Sequence, residues 1–229
     1  MKTLSLALFS LALLPSIASA QSVDILWQGV NYAPPFYQGG SLWSQEGSLI
    51  FYAVPQGLGN PASLSYKWIK DGTVLGSVSG VGKNALYSND PLFGKPQRVE
   101  VEIMNGNDEI VTQSFVIVSP VTPEPLVYEK SPLYGFLFNR EASSGYRLGG
   151  QEVAFAAFPL FFSAKGRDDG SLTYAWRSNA GSDSTDSSVT YRIPDGASGS
   201  ARVSVKAANP SSIRQMAEKS FLVQFGNEN

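Results

Sequence analysis

Two aspartates three positions apart, Asp183 and Asp186, lie in the polar stretch "GSDSTDSS" (181–188). Paired carboxylates are the raw material of general acid–base hydrolysis, which needs one of the two kept protonated by an apolar wall. Nothing apolar flanks this pair, so the stretch reads as a solvated loop. "SGVGK" (79–83) places glycines before a lysine, as phosphate loops do. It lacks the GxxxxGK[ST] spacing, Asn84 replaces the Ser or Thr, and no helical pattern follows. A loop at a sheet edge is expected there. "NGNDE" (105–109) and "RDDG" (167–170) offer oxygens for calcium. Calcium takes six to eight oxygens, and neither stretch has an EF-hand spacing. Both read as turns, where Asn, Asp and Gly are used for local reasons.

The chain contains no histidine and no cysteine. That removes the usual base at neutral pH, the commonest metal ligand, the thiol nucleophile and the Cys/His zinc site. The sequence therefore reads as non-catalytic, with no cofactor and no metal.

The elements that would hold any site begin after an N-terminal leader. Lys2 is a short positive region, 4–14 is apolar, and Ala18-Ser19-Ala20 is a small-residue cleavage site. Residues 1–20 are read as a signal peptide, with an N-terminal membrane anchor as the alternative if it is not cleaved. The protein is expected outside the cytoplasm: extracellular, at the cell surface or periplasmic. The C-terminal "FLVQFGNEN" carries no sorting signal, so release or retention by another protein is expected. Removing Lys2 leaves 16 basic against 19 acidic residues, a net charge of −3, with no basic run. Nucleic acid is thus a poor partner, because phosphate binding needs clustered Lys and Arg. An exported chain without disulfides must be held by its cores alone.

The chain repeats itself. "FYAVP" (51–55) matches "FAAFP" (155–159), and "SLSYKW" (63–68) matches "SLTYAW" (171–176). "RVEVEIMN" (98–105) matches "RVSVKAAN" (202–209), and "SFVIV" (114–118) matches "SFLVQF" (220–225). The offsets are 104, 108, 104 and 106, in the same order along the chain, which implies two copies of one unit. "SPVTPEP" (119–125) lies between them as a proline-rich spacer. Domains are expected at 21–120 and 121–229. Each copy shows the period of two that marks a half-buried strand: Leu64, Tyr66 and Trp68 on one face, Val99, Val101 and Ile103 on another. Asp71-Gly72 and Asn105-Gly106 are hairpin signals. "SSIRQMAEKS" (211–220) is the best helix candidate and reads instead as a loop entering the last strand. The fold class is all-β: two immunoglobulin-like antiparallel β-sandwiches in tandem. Tyr66, Trp68, Tyr174 and Trp176 are the expected core markers.

"YKWIKDG" and "YAWRSNAG" resemble the central Y-x-W strand and turn of PKD-like and other immunoglobulin-like domains of exported bacterial proteins. "RDDGSLTYAW" is similar to the acidic turn that precedes that strand in PKD domains. "APPFYQGG", "SGVGKNALY" and "SPLYGF" resemble a group of uncharacterised two-domain exported proteins of reduced-genome bacteria. Some of those are encoded near pilus or secretion genes, which implies a place in the envelope and no particular activity.

"NYAPPFYQGG" (31–40) sets three aromatic rings around two prolines, which cannot donate to a ladder. "KSPLYGFLFN" (130–139) repeats the order, Pro132-Leu133-Tyr134 against Pro35-Phe36-Tyr37. One reading is structural: the prolines bend the first strand where it changes sheets, and the rings cover the open end of the core. The other is an exposed aromatic platform. On that reading Tyr32, Phe36, Tyr37, Trp43, Tyr134 and Phe136 are the candidate partner-binding residues. "FPLFFSAKG" (158–166) is a second apolar cluster, read as a plug or interdomain contact, or as an exposed patch for assembly. The expected function is a structural or interaction module of an envelope or surface assembly, with an envelope or surface protein as partner. The alternative is a carbohydrate-binding accessory module whose partner is a polysaccharide.

Overall fold

The computed structural model describes residues 20–89, 95–181 and 183–226. The leader expected at 1–20 lies outside these residues except for Ala20. Among the described residues there is no α-helix, and none is long and apolar enough to cross a membrane.

The first half contains β1 (Ser22–Gly29), β2 (Leu49–Gln56), β3 (Ser65–Lys70), β4 (Thr73–Val74), β5 (Gly80–Val81), β6 (Ala85–Ser88), β7 (Gln97–Met104) and β8 (Ile110–Val118). The second contains β9 (Glu124–Ser131), β10 (Gly135–Glu141), β11 (Gly145–Arg147) and β12 (Glu152–Leu160). It continues with β13 (Thr173–Ser178), β14 (Ser188–Arg192), β15 (Gly199–Ala208) and β16 (Met216–Phe225). Each half folds as two facing sheets. In the first they run β1-β2-β6 and β4-β3-β7-β8, with β5 also pairing β3. In the second they run β10-β9-β12-β14 and β11-β16-β15-β13. These are two immunoglobulin-like sandwiches in tandem.

Alternation fills the cores. Val23, Ile25, Phe51, Ala53, Tyr66, Trp68, Val99, Val101 and Ile103 are buried together in the first sandwich. Val127, Phe155, Ala157, Tyr174, Trp176, Val203, Val205 and Phe221 are buried in the second. The two halves repeat the polar anchoring of these rings as well. The Trp68 indole donates to the Lys83 carbonyl at 2.9 Å, and the Trp176 indole to the Asp186 carbonyl at 2.9 Å. The Tyr66 hydroxyl donates to the Pro61 carbonyl at 3.0 Å, and the Tyr174 hydroxyl to the Arg167 carbonyl. A buried aromatic with a polar tip must find a partner, and here the turns supply it.

Turn chemistry explains one hairpin and corrects another. Asp71 and Gly72 both have positive φ (47° and 81°) between the paired Lys70 and Thr73. This is the left-handed pair that a two-residue hairpin needs. Asn105-Gly106 forms no such turn. Asp108 takes the left-handed conformation instead, and the Asn105 side-chain oxygen accepts from the backbone N–H groups of Asn107 and Glu109, both at 2.9 Å. The local side-chain bonds win over the two-residue turn.

The first strand of each sandwich changes sheets. After β1 the chain crosses to lie parallel to the end of the opposite sheet, where Ser44 bridges Val121 and the Val121 amide donates to the Trp43 carbonyl at 2.7 Å. After β9, β11 makes the same parallel crossing onto β16. The first proline-aromatic segment lies in its crossing, whereas Pro132-Leu133-Tyr134 forms the turn between the paired Ser131 and Gly135, and β10 stays in the sheet of β9. Val121, in the middle of the spacer, is thus tied to the first sandwich only three residues before β9 begins.

Candidate functional site

The crossing segment of the first sandwich leaves its own core and reaches the second sandwich. The Tyr32 amide donates to the Phe162 carbonyl at 2.8 Å, and the Phe161 amide returns a bond to the Tyr32 carbonyl at 3.3 Å. Phe36 is half-buried on the outer face of β9 and β12. Its ring centroid lies 4.9 Å from Tyr128, 5.5 Å from Phe158 and 4.6 Å from Phe138. Phe136 stacks edge-on with Phe158 at 5.1 Å, so the β10 hairpin closes the other side. Tyr37 meets Phe161 at 5.4 Å with perpendicular rings. Edge-to-face pairs of this kind add stabilisation beyond the area they bury.

Phe161 makes the arrangement possible. Its φ of 63° is left-handed, a conformation costly for a bulky residue. Three phenylalanines in one extended strand could not share a core. The kink turns Phe162 into the second sandwich's core and Phe161 toward Tyr37, while Phe158 stays on the outer face. The "FPLFF" cluster is therefore a contact between the sandwiches.

Arg167 lids the aromatic cluster. Its guanidinium lies 4.8 Å from the Phe136 ring centroid and 5.3 Å from that of Phe158. The same group donates to the Ser187 and Ser188 hydroxyls, each at 2.7 Å. The neighbouring Asp168 accepts from the Ser187 hydroxyl, and that bond holds its carboxyl below the usual range. The "RDDG" oxygens are thus committed inside the turn: Asp169 accepts from the amides of Lys165 and Ser171.

A polar cluster seals the other side of the junction. Gln215 is fully buried, and its side-chain amide donates to Ser163 Oγ at 2.8 Å, the Gln45 carbonyl at 3.0 Å and Ser44 Oγ at 3.3 Å. Its oxygen accepts from the Ser163 amide at 2.8 Å. Asn31 donates to the Leu42 carbonyl at 2.7 Å and accepts from Ser163 Oγ at 3.3 Å. Gly29 must be glycine, since a Cβ would lie 2.5 Å from the Leu42 carbonyl oxygen.

The expected platform residues do not share one exposed face. Tyr32, Phe36 and Tyr37 lie along the junction, and Phe136 joins the same cluster from the second sandwich. The rings cover the neighbouring sandwich and not the open end of their own core, which corrects the structural reading of this segment. Trp43 is buried in the first core, its indole donating to the Gly47 carbonyl at 2.9 Å, and offers no ring face to an external ligand. Tyr134 alone of the six points freely outward, beside Leu133. Sequence reasoning missed Tyr128, Phe138, Arg167 and Gln215. Phe138, Arg167 and Gln215 lie in stretches singled out for other reasons (130–139, 167–170 and 211–220), and Tyr128 carried no signal.

Further features face solvent, among them the outer stripe of β8 with Val111, Phe115 and Ile117. On the outer face of β1-β2-β6, Leu26, Tyr52, Val54 and Tyr87 are exposed, with Leu26 paired across from Tyr52. Beside the junction a groove of about 630 Å³ is bordered by Gln28, Asn31, Tyr32 and Lys165.

No family model matches the chain, and no curated protein matches it in sequence. Among solved structures it is similar to the fibronectin(III)-like modules of Clostridium thermocellum CbhA. The identity is 11%, covering 90% of this chain and 98% of that one at a TM-score of 0.31. It is similar to the central fibronectin-III array of RIM-binding protein at 15% identity, covering 82% and 68%, TM-score 0.26. It is also similar to the SGBP-B protein of a Bacteroides ovatus mixed-linkage glucan utilization locus, in complex with a heptasaccharide. There the identity is 13%, covering 86% of this chain and 47% of that one, TM-score 0.26.

Proposed function

We propose that the chain is an exported, non-catalytic interaction module of a cell-envelope or surface assembly. Its two domains, 21–120 and 121–229, are locked by the aromatic junction so that their outer faces are presented at fixed spacing. The observation that carries this reading is the outer face of β1-β2-β6. Leu26, Tyr52, Val54 and Tyr87 lie together on one sheet face and are left in water. Grouped exposed apolar side chains mark interaction surfaces, whereas scattered ones need no explanation. The partner class is another envelope or surface protein. Retention of the mature chain on an envelope fraction tests this. Tyr52→Lys with Tyr87→Lys abolishes retention without changing the melting temperature. Unchanged retention in that variant refutes the assignment of the face.

A second reading is favoured by the junction groove, where Tyr32 stands beside the polar Gln28 and Lys165. A tyrosine ring with polar neighbours is suited to stack on a sugar and bond its hydroxyls. Retention on a polysaccharide that is lost in Tyr32→Ala supports this carbohydrate-binding role. Trp43, Trp68 and Trp176 are buried, so any quenching by a sugar in the groove would report on Trp27, which is half-buried beside Gln28.

A further inference from the structure

We propose that the outer edge of β8 takes one further strand from a partner protein: an extended, uncharged segment laid parallel to β8. This surface is separate from the β1-β2-β6 face, and the proposal does not depend on that face.

β8 ends its sheet, with β7 on one side and no strand of the described residues on the other. After a register shift at its start it pairs regularly with β7 from Thr112 to Val118. That stretch, "TQSFVIV", has neither a charge nor a proline. An edge strand presents a row of unpaired N–H and C=O groups, and proteins blunt such edges by charge, short length, irregularity or a covering segment. The other outer strands follow that rule. β4 has two residues, β6 four and β11 three. β1 carries Asp24, and β14 ends on Arg192. β10 breaks register before Glu141. At β13, Ser184 bonds the Trp176 backbone in both directions.

The second sandwich shows what lies on this edge. Its equivalent strand is β16, since Arg202 pairs with Leu222 as Arg98 pairs with Ile117. There β11 runs parallel along the edge. The Leu222 amide donates to the Ser144 carbonyl at 3.3 Å, and the Leu148 amide donates to the Gln224 carbonyl at 2.9 Å. In the first sandwich the crossing segment is held at the junction through Tyr32 and meets the same edge only at Val121, again in a parallel bridge. The equivalence aims the Ile117 backbone groups outward, as those of Leu222 are. Strand alternation adds those of Phe115 and Gln113. None of the three has a backbone bond on that side among the described residues. A strand in the place of β11 completes the edge and stops where Trp43 and Ser44 begin.

The side chains set the chemistry of that strand. Phe115 is 51% exposed and Ile117 61%, on the outer face beside the edge. Apolar residues at alternate positions of an added strand pack against them. The neighbouring Glu100 and Glu102 on β7 already hold Arg98 and Lys67, so no charge here asks for a charged partner. Backbone bonds give an added strand its affinity, and its alternate side chains give specificity.

The probe is a capped peptide of alternating threonine and valine, as long as 112–118, with a lysine at each end for solubility. It is titrated into isotope-labelled 21–229 up to roughly 1 mM, the range of weak contacts. Amide exchange read by nuclear magnetic resonance is expected to slow at Gln113, Phe115 and Ile117. It stays unchanged at Ser114 and Val116, whose amides face β7. Gln113→Pro removes one outward N–H without touching the β7 bonds, and Ile117→Lys places a charge beside the edge. Each weakens peptide binding by about tenfold, and circular dichroism verifies the fold of both. No slowing at the three outward amides overturns the proposal, as does equal slowing at every β8 amide or unchanged binding by both variants. Slowing that appears without peptide and grows with protein concentration makes a second copy the occupant and also overturns it. A chain that ignores the peptide but is still retained by the envelope fraction through Tyr52 and Tyr87 overturns edge pairing alone and leaves the interaction-module reading intact.

Discussion

Phe36 of the first sandwich meets Tyr128 of the second with ring centroids 4.9 Å apart at 65°. The two residues come from different sandwiches and meet in a cluster outside either core, and backbone bonds between Tyr32 and the Phe161-Phe162 pair tie the two sandwiches beside it. On the proposed reading this joint makes the two sandwiches move as one body.

Phe36→Ala removes the ring but leaves both cores intact. The half-buried ring contributes about 1–2 kcal/mol to docking, by the area it hides. Calorimetry of the wild type is expected to show one transition, and of the variant two, one per sandwich. Limited proteolysis should also begin to cut within 119–123.

Gln215 is the polar counterpart. Gln215→Leu leaves the Ser163 amide without its acceptor in a buried site. An unsatisfied buried donor costs about 1–3 kcal/mol. The midpoint of urea unfolding falls accordingly, and Gln215→Asn does not restore it because the shorter side chain cannot reach both sandwiches.

The core tryptophans act locally. Trp68→Ala and Trp176→Ala each empty a fully buried site, at a cost of about 3–5 kcal/mol. In the Phe36→Ala background each is expected to lower only the transition of its own sandwich, which calorimetry resolves.

Alkali should unfold the protein through its tyrosines. Burial, then the Asp183 charge, pushes Tyr191 from its ordinary 10.0 up to about 12. Burial also raises Tyr66, Tyr128 and Tyr174, and it raises Tyr146 with help from the bond to Glu129. A raised folded value means the folded state keeps a proton that the unfolded state releases. This stability is fully present below the ordinary tyrosine value and is lost as pH rises through the folded one. Urea midpoints should be flat across neutral pH and fall from about pH 10 upward. The Tyr191 hydroxyl is buried without a hydrogen-bond partner among the described residues. Tyr191→Phe is therefore neutral or stabilising by about 1 kcal/mol near pH 7 and makes the alkaline fall shallower.

The architecture was legible because strands write their period into sequence. Tyr66 and Trp68, and Tyr174 and Trp176, alternate with polar neighbours, and the pattern recurs at nearly constant offset. The joint was only half legible. Proline and aromatic residues in 31–40 flagged an unusual segment, but its target lies on residues remote in sequence. Tyr128 and Phe158 alternate outward and look like ordinary strand positions. Phe161 shows no hint of its left-handed backbone, because only the crossing chain of the other sandwich makes that conformation pay. Arg167 sat in a stretch that resembled a calcium turn, while its side chain turned to rings and hydroxyls. Asn105-Gly106 carried a two-residue hairpin signal that the Asn105 side chain overrode.

The fixed joint can be measured directly, since the chain has no cysteine to interfere with labelling. Spin labels at Gln113→Cys on β8 and Lys206→Cys on β15 report the separation of the two sandwiches by pulsed dipolar spectroscopy. A single narrow distance distribution that broadens on Phe36→Ala is the expected result. A broad distribution in the otherwise wild-type chain, unchanged by Phe36→Ala, would contradict the locked joint on which the presentation of these surfaces depends.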